Sequence, residues 1–330
     1  MNDYPCVILA NPRGRAWPLA VSVYEGLRKR NDCQYELNQV NASRFNDQEL
    51  MDRVKHNVRK REVFFIHDSS LHPDSWLSHL LFVNQILKNS SAVNITDVLP
   101  YLPYSRQDRK HKSREPLSAG LIANHIRMSG GRRVITVDVH NPAIESAYAQ
   151  EPNSVVFTNL YSFPTVVDHL NAHEPELVRT LNAAGSPDAG GAERTESFGG
   201  RFGLEIIVAT KARGGPGKIK KLRIGEDLTG KNVIWIDDMF DTCGTIITAA
   251  QEARRKGANN VYAYATHALF TKGIDRIVEE FDLVLTSDTI PQKKKVLEHP
   301  KIRVIPIAGL LEEAIWKVYH GESIEELYDK

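Results

Sequence analysis

The 330-residue sequence lacks long hydrophobic runs. A helix that spans a bilayer needs roughly 18–20 consecutive apolar residues, and no stretch of this chain approaches that length. The first residues also lack a basic segment followed by an apolar core, which is the pattern of a secretory signal. We therefore expect that the protein is not exported and that its partners do not include a membrane.

Cysteine is scarce, and the charges nearly cancel. The 3 cysteines, Cys6, Cys33 and Cys243, are widely spaced, so the sequence predicts neither a disulfide framework nor a Cys-x-x-Cys metal site. This usage is typical of a reducing compartment, and we expect a cytoplasmic protein. The 42 Lys and Arg residues against 41 Asp and Glu residues give a formal net charge of +1, which argues against a nonspecific nucleic-acid binder.

The chain does contain many short apolar runs rich in β-branched residues. Continuous runs of this length favour parallel strands that are covered on both faces. They lie at residues 6–9, 63–66, 93–99, 133–138, 205–209, 232–237, 260–265, 283–285 and 302–306. Helical patterns follow at residues 18–29, 117–128 and 245–256. The alternation occurs twice, which predicts two α/β domains with mainly parallel sheets.

The strongest functional signal is a strand that ends in two acids, Asp237 and Asp238, and leads through a short loop into a helix. Backbone amides at a helix N-terminus bind anions, and hydroxyls and glycine in the loop favour close contact with a phosphate. The acids fit ribose hydroxyls or Mg²⁺ better than phosphate. The loop residues are Asp241, Thr242, Cys243, Gly244 and Thr245. The alternative is a structural strand–turn–helix with an acidic cap.

This segment resembles the phosphoribosyl-diphosphate (PRPP) motif of type I phosphoribosyltransferases. Four further segments are similar to ribose-phosphate diphosphokinases, in that family's order: residues 45–49, 100–119, 136–140 and 186–192. The resemblance spans nearly the whole chain. It implies two tandem phosphoribosyltransferase-like, Rossmann-like domains at residues 1–159 and 160–319, with residues 320–330 packing back on the first.

The family resemblance implies a reaction. Its members transfer the β,γ-diphosphoryl group of ATP to the C1 hydroxyl of ribose 5-phosphate, giving PRPP and AMP for nucleotide biosynthesis. The resemblance implies Mg²⁺ as the cofactor, ATP and ribose 5-phosphate as substrates, and a homo-oligomer built from dimers, as in the family's hexamers.

The resemblance also assigns residues to the substrates. The ATP-binding residues are Arg106, Gln107, Phe45, Asp47 and Glu49, of which the last three reach the adenine bound by a neighbouring subunit. The residues that bind ribose 5-phosphate are Asp237, Asp238, Asp241, Thr242, Cys243, Gly244 and Thr245. The diphosphate loop comprises Asp188, Ala189, Gly190 and Gly191. The metal ligands are His140 and Asp188, and the catalytic cations are Lys211 and Arg213.

Several of these segments also have a plainer interpretation. The cationic run at residues 106–114 has the composition of a solvated charge cluster. His140 alone is more typical of a structural residue than of a metal ligand, and Mg²⁺ prefers oxygen ligands. The Gly- and Lys-rich residues 214–221 predict a mobile loop, which is basic and soluble on the plain interpretation and catalytic on the other.

The sequence departs from the family at a regulatory phosphate site. Where the phosphate-activated class has Ser-x-Arg and Ser-x-Ser, this chain has Asn57-Val58-Arg59 and Ser323-Ile324-Glu325. A carboxylate beside an anion is repulsive, so we expect weakened phosphate activation and weakened ADP inhibition. Residues 73–80, which lie near subunit contacts in the family, also differ.

Two other functions remain open on the sequence. A PRPP-using phosphoribosyltransferase needs only the second half and leaves residues 106–119 unexplained. A non-catalytic regulatory subunit is expected to have lost loop cations or the acid pair, whereas this chain keeps them. A DNA-binding repressor needs an additional domain, which the sequence does not show.

Overall fold

The computed structural model describes residues 4–110, 112–212 and 221–328. They form two compact units. The first unit contains the chain up to Tyr161, Thr289–Pro291 and the segment that starts at Ile307. The second unit contains Ser162–Asp288 and Gln292–Pro306.

The strands in both units are short and mostly buried. In chain order they are β1 (Cys6–Ala10), β2 (Tyr35–Arg44), β3 (Leu50–Val54), β4 (Glu62–Ile66), β5 (Asn94–Leu99), β6 (Arg133–Val137), β7 (Val156–Leu160), β8 (Ala183–Ser186), β9 (Glu205–Val208), β10 (Thr210–Ala212), β11 (Lys221–Arg223), β12 (Val233–Phe240), β13 (Val261–Ala268), β14 (Leu283–Ser287) and β15 (Ile302–Ile305). Every run that the sequence predicts as a strand forms one. Most of these strands are buried on both faces, and the edge strands β9 and β15 are buried only in part.

Helices follow most of the strands. They are α1 (Trp17–Arg30), α2 (Pro73–Asn89), α3 (Ser118–Ser129), α4 (Glu145–Tyr148), α5 (Phe163–His173), α6 (Pro175–Thr180), α7 (Ala192–Phe202), α8 (Gly244–Arg255), α9 (Asp275–Glu280), α10 (Lys294–Leu297) and α11 (Ala308–His320). Short 3-10 turns lie at Pro142–Ile144, Ala189–Gly191 and Glu325–Tyr328. Among the described residues, no helix has both the length and the apolar character that crossing a membrane requires.

The first unit is built around a seven-stranded sheet in the order β3-β2-β1-β4-β5-β6-β7. All neighbours are parallel except β2 and β3, which form an antiparallel hairpin. One face carries a core with α2 and α3, centred on the fully buried Trp76. The other face packs against α1 and α11. The parallel order brings the carboxyl ends of the strands to one edge of the sheet.

Helix α11 completes the first unit from the far end of the chain. Leu311, Ala314 and Ile315 are fully buried in the core that α1 contributes to. Arg30 on α1 also binds Glu312 at 2.8 Å and Glu313. The returning segment therefore begins at Ile307, earlier than the residue 320 that the sequence predicts, because α11 supplies an apolar face that the first unit needs.

The second unit has a six-stranded parallel sheet in the order β15-β14-β13-β12-β8-β9 and a separate antiparallel ribbon, β10-β11. Trp235 on β12 is fully buried in its core. The indole leaves no room on neighbouring β8, where a Cβ on Gly185 would lie 2.6 Å from a ring carbon of Trp235. Two parallel sheets with flanking helices confirm the predicted α/β fold class.

Candidate active site

The acid pair lies inside β12, not at its end. The strand continues past Asp237 and Asp238 to Phe240, because Met239 pairs with His267 and Phe240 with Ala268. The backbone N–H of Asp238 donates to Oδ1 of Asp237 at 2.9 Å. The predicted strand end at Asp237 is therefore wrong by three residues, since acids interrupt the apolar pattern without ending the pairing.

The electrostatics of this pair favour a cation or a hydroxyl donor. Burial, followed by the charge of Asp238, raises the pKa of Asp237 to about 7. A hydrogen bond from the Asp238 backbone and the charge of Arg194 act in the opposite direction. Two adjacent carboxylates in a buried site repel each other, and hydrogen-bond donors or a metal ion relieve that repulsion.

The loop after β12 presents the beginning of a helix. Cys243 takes the left-handed conformation, with φ of 60°, and α8 starts at Gly244. The side chain of Cys243 makes no capping hydrogen bond, and the first turn has no acidic residue. The amides of that turn thus have the arrangement that binds an anion. Thr242 and Thr245 are exposed beside them.

Asp241 anchors this loop to the segment after β13. Its backbone oxygen accepts from the N–H of Thr271 at 3.1 Å, and its Oδ1 accepts from the Thr271 hydroxyl at 2.6 Å. The loop shape is thereby fixed from outside the motif. Asp241 therefore positions the loop through its hydrogen bonds with Thr271, in addition to its predicted role as a ligand.

The predicted diphosphate loop follows the neighbouring strand β8. Oδ1 of Asp188 accepts from the N–H of Gly190 at 3.0 Å, and the Ser186 hydroxyl donates to the Asp188 backbone oxygen at 2.6 Å. A Cβ on Gly191 would lie 2.7 Å from Oγ of Ser186. The turn is thus tight and needs glycine at residue 191. Ala189 and Gly190 are exposed at its tip.

One of the two predicted catalytic cations lies on the ribbon that follows β9. Lys211 is on β10 and pairs with Leu222 on β11. Arg213 lies outside the described residues, as does the predicted mobile loop at residues 214–221 except for Lys221 on β11. Because β9, β8 and β12 are consecutive in the sheet, the segments that follow them leave from one edge.

The predicted nucleotide segment of the first unit follows β5. The N–H of Gln107 donates to the Tyr104 backbone oxygen at 3.0 Å, and its side-chain oxygen accepts from the hydroxyl of Ser118 at the start of α3. Asn141 donates to Asp108 and so joins this segment to the loop after β6. Arg106 is exposed next to Gln107.

His140 lies in that second loop. The preceding Asp138 is buried with φ of 41°, and the N–H of Val139 donates to Oδ1 of Asn159 at 2.8 Å. His140 itself is exposed. The structure therefore brings His140 close in the fold to the nucleotide segment, through the contact of Asn141 with Asp108. Its other proposed metal partner, Asp188, belongs to the second unit.

The remaining predicted ATP residues form the tip of the β2–β3 hairpin. Phe45 is 51% exposed. Its N–H donates to the Glu49 backbone oxygen at 2.9 Å, and the N–H of Glu49 donates to Oδ1 of Asp47 at 3.1 Å. Arg44 also donates to the backbone oxygen of Gln48 at 2.6 Å. The tip is an ordered turn that presents an aromatic ring and acids away from the core.

Sequence reasoning missed three residues that shape the site: Arg194, Thr271 and Asn141. Arg194, on the helix after the diphosphate loop, acts on the charge of Asp237. Its position three residues after the glycine pair, in the first turn of α7, is a usable signal. Thr271 and Asn141 lie about 30 residues from their partners, Asp241 and Asp108, so no local pattern indicates them.

Comparison with known proteins gives consistent results over both units. Residues 17–130 match the family described as the N-terminal domain of ribose phosphate pyrophosphokinase, and residues 216–329 match the phosphoribosyl synthetase-associated domain. The ribose-phosphate pyrophosphokinases of Wolinella succinogenes and Campylobacter jejuni are each 35% identical over 88% of this chain and 91% of their own length.

A solved structure gives the same answer for the fold. Phosphoribosylpyrophosphate synthetase from Mycobacterium smegmatis aligns with a TM-score of 0.83 and 27% identity, covering 96% of this chain and 99% of its own. The two sheets, the site loops and these relatives together identify the chain as a member of the ribose-phosphate pyrophosphokinase family.

Proposed function

We propose that this chain transfers the diphosphoryl group of ATP to the C1 hydroxyl of ribose 5-phosphate, giving PRPP and AMP. The observation that carries this proposal is the second unit's sheet edge. There β12 carries the partly buried Asp237 and the buried Asp238 and leads into the uncapped start of α8. Its neighbour β8 leads into the proposed diphosphate turn. This edge offers separate positions for hydroxyls, for a small phosphate and for a diphosphate.

Ribose 5-phosphate is assigned to β12 and its loop. The amides at the start of α8, with the hydroxyls of Thr242 and Thr245, take the 5-phosphate. Asp237 and Asp238 accept hydrogen bonds from ribose hydroxyls, which reduces the repulsion that raises the pKa of Asp237. Among the described residues, Thr242 alone comes within 4 Å of the Cβ position of Gly244, and these residues leave room for the phosphate.

The nucleotide and the catalytic cations complete the proposal. Arg106 and Gln107 bind ATP, and Phe45, Asp47 and Glu49 reach adenine on a neighbouring subunit, which requires a homo-oligomer based on dimers. Lys211 and Arg213 stabilise the charge of the diphosphoryl group during transfer. Phosphoryl chemistry depends mainly on such positioning and charge stabilisation.

Mg²⁺ is the proposed cofactor, held by Asp188 and His140. Asp188 is a suitable ligand, because Mg²⁺ favours carboxylate oxygen. Its side chain is already oriented by the hydrogen bond from Gly190. His140 contributes an exposed imidazole. When bound, the metal neutralises charge on phosphate oxygens. Asp188 also holds the diphosphate turn through its hydrogen bond to Gly190, independently of the metal.

The deciding experiment incubates the purified chain with ATP, ribose 5-phosphate and Mg²⁺ and follows AMP and PRPP by ³¹P NMR. Equal amounts of AMP and PRPP support the proposal. Consumption of added PRPP in the presence of a nucleobase, without AMP formation from ATP, would instead indicate a phosphoribosyltransferase. Binding of both substrates without turnover would indicate a non-catalytic subunit.

Assembly and location are separate proposals. Sedimentation at several protein concentrations tests the homo-oligomer, and a concentration-independent monomer with full activity contradicts an adenine site shared between subunits. We keep the cytoplasm as the proposed compartment, since all three cysteines are free thiols.

A further inference from the structure

Three side chains of different chemistry meet on the first unit, where the turn between α1 and β2 contacts the last turn of α11. They are Asp32, Cys33 and His320, and one potential ligand atom of each lies within 4.8 Å of the others. Nε2 of His320 lies 3.7 Å from Oδ2 of Asp32. Metal–ligand bonds of about 2.0–2.3 Å put tetrahedral ligands about 3.5 Å apart, so small side-chain rotations suffice to enclose an ion.

The imidazole of His320 is oriented for this purpose. Nδ1 lies 3.0 Å from the backbone oxygen of Trp316, so Nδ1 carries the proton and donates it. The lone pair is then on Nε2, the nitrogen that faces Asp32. Histidines that bind metals commonly donate their second ring N–H to a carbonyl in this way, which fixes the tautomer.

The carboxylate is oriented as well. Oδ1 of Asp32 accepts from the Tyr35 hydroxyl at 2.7 Å, and Oδ2 accepts from the indole N–H of Trp316. Each carboxylate oxygen retains a further lone pair for a metal.

Nearby cations do not oppose binding. The guanidinium of Arg30 lies 4.9 Å from the ring centre of Trp316. It also binds Glu312 at 2.8 Å and Glu313, so its charge is balanced by α11. The charge available to a cation at the cluster is the carboxylate of Asp32 and the thiolate that forms at Cys33.

We propose that Asp32, Cys33 and His320 bind a thiophilic divalent cation of the Zn²⁺ type, with a water as the fourth ligand. A thiolate and an imidazole select zinc over magnesium, which separates this site from the Mg²⁺ chemistry proposed above. Binding releases the thiol proton of Cys33 to solvent. The ion joins the turn before β2 to the end of α11.

The test titrates metal-free, full-length protein with Co²⁺ and then displaces it with Zn²⁺. We expect one equivalent per chain with a thiolate-to-cobalt charge-transfer band. Zn²⁺ also protects Cys33, which is partly exposed, from alkylation, whereas the buried Cys6 and Cys243 react slowly in either case. Neither readout uses enzyme activity, so the outcome is independent of the proposed reaction.

Cys33→Ser abolishes the band, and His320→Gln weakens binding by more than the about 10–100-fold that loss of an outer-shell partner costs. The matched control is His125→Gln, because His125 also directs Nδ1 to a backbone oxygen four residues earlier, at 2.7 Å, away from this cluster. Unfolding temperatures without metal establish that the variants fold. Zn²⁺ raises that temperature in the wild type and in His125→Gln, and raises it less or not at all in His320→Gln and Cys33→Ser. Cobalt binding without the thiolate band, or a band unchanged in both variants, overturns the proposal.

Discussion

The two units use the edge of a parallel sheet in different ways. In the first unit, a segment of almost 20 residues between Leu99 and Ser118 is held by contacts between distant side chains, such as Gln107 with Ser118. In the second unit, short turns are held mainly by their own residues, such as Asp188 with Gly190. Long loops offer side chains to a large, planar base, whereas short turns and helix starts offer main-chain amides to small anions.

The substitution with the largest expected effect on catalysis is at Lys211, on the ribbon of the second unit. Lys211→Ala lowers kcat by at least about a thousandfold while ATP binding persists, because the cation acts on charge that develops during transfer. AMP release gives kcat, and calorimetry gives the Kd for ATP. Lys231→Ala is the control, since Lys231 forms a surface ion pair with Glu205 at 2.5 Å. A Lys211 variant within a few-fold of wild type would falsify the catalytic role.

A second test asks whether the diphosphate turn is as rigid as its hydrogen bonds indicate. In Gly191→Ala the new Cβ meets Oγ of Ser186 at 2.7 Å, so the turn must shift. We expect kcat/KM to fall about 10–100-fold, as for other sub-ångström to ångström displacements of a reacting group. Gly200→Ala on the following helix, where a Cβ meets nothing within 4 Å, leaves kcat/KM unchanged. Equal behaviour of the two variants contradicts the prediction.

A third test concerns the core beneath the first unit's edge. Asp97 on β5 is fully buried, and burial raises its pKa to about 7 against the opposing hydrogen bond from Asn84. The native state therefore holds a proton that the unfolded state releases at lower pH. The Asp97 carboxyl therefore lowers the free energy of unfolding progressively as the pH rises from about 4 to about 7. Above about pH 7 its destabilising effect is complete.

Asp97→Asn removes this dependence. The difference in free energy of unfolding between the variant and the wild type grows by roughly 2–4 kcal/mol, in favour of the variant, from about pH 5 to about pH 8. Among the described residues, Oδ1 of Asn84 and the Tyr148 hydroxyl lack a hydrogen-bond partner, and a new amide offers them a donor. Urea unfolding with hydrogen exchange of β5 and β6 measures the change, with the exposed Asp168→Asn as control. If the stability difference between Asp97→Asn and the wild type does not change with pH, the raised pKa of Asp97 is contradicted.

The smallest expected effect is regulatory. Oδ1 of Asn57 accepts from the N–H of Arg59 at 3.0 Å, and Ser323 accepts from the N–H of Glu325 at 3.2 Å, so both segments are held by local turns. We expect inorganic phosphate at millimolar levels to change the rate less than about twofold, because Glu325 repels anions. Glu325→Ser increases the response. Strong sigmoidal activation of the wild type by phosphate would count against this interpretation.

The sequence predicts the buried parallel strands well and the amphipathic elements poorly. Strand β1 is a continuous apolar run, and β4 and the first half of β12 contain such runs, so their pattern is visible without tertiary information. Strand β2 mixes buried, partly buried and exposed positions and is rich in polar residues, and β8 consists of Ala, Gly and Ser. These strands exist because neighbours cover them, which single-sequence periodicity does not report.

The segments proposed for the site were recognisable in the sequence, but the contacts that hold those segments were not. Motifs placed the predicted diphosphate turn and nucleotide segment after strands, as the structure has them after β8 and β5, whereas the acid pair lies within β12 and not on a loop. The contacts that shape those loops, such as Thr271 with Asp241, cross 30 residues of chain. The indole of Trp316 reaches Asp32 across 284 residues. Such pairs follow from the packing of strands and helices, not from any local spacing.

The return of α11 to the first unit has a consequence for synthesis of the chain. A ribosome makes α1 and the first sheet early, but the residues that cover this face, including Leu311 and Ile315, come after the whole second unit. The nascent first unit therefore keeps an apolar surface open while the second unit folds. The first unit starts to form early but is completed only when α11 has been made. Until then its uncovered apolar face can misassemble or bind chaperones.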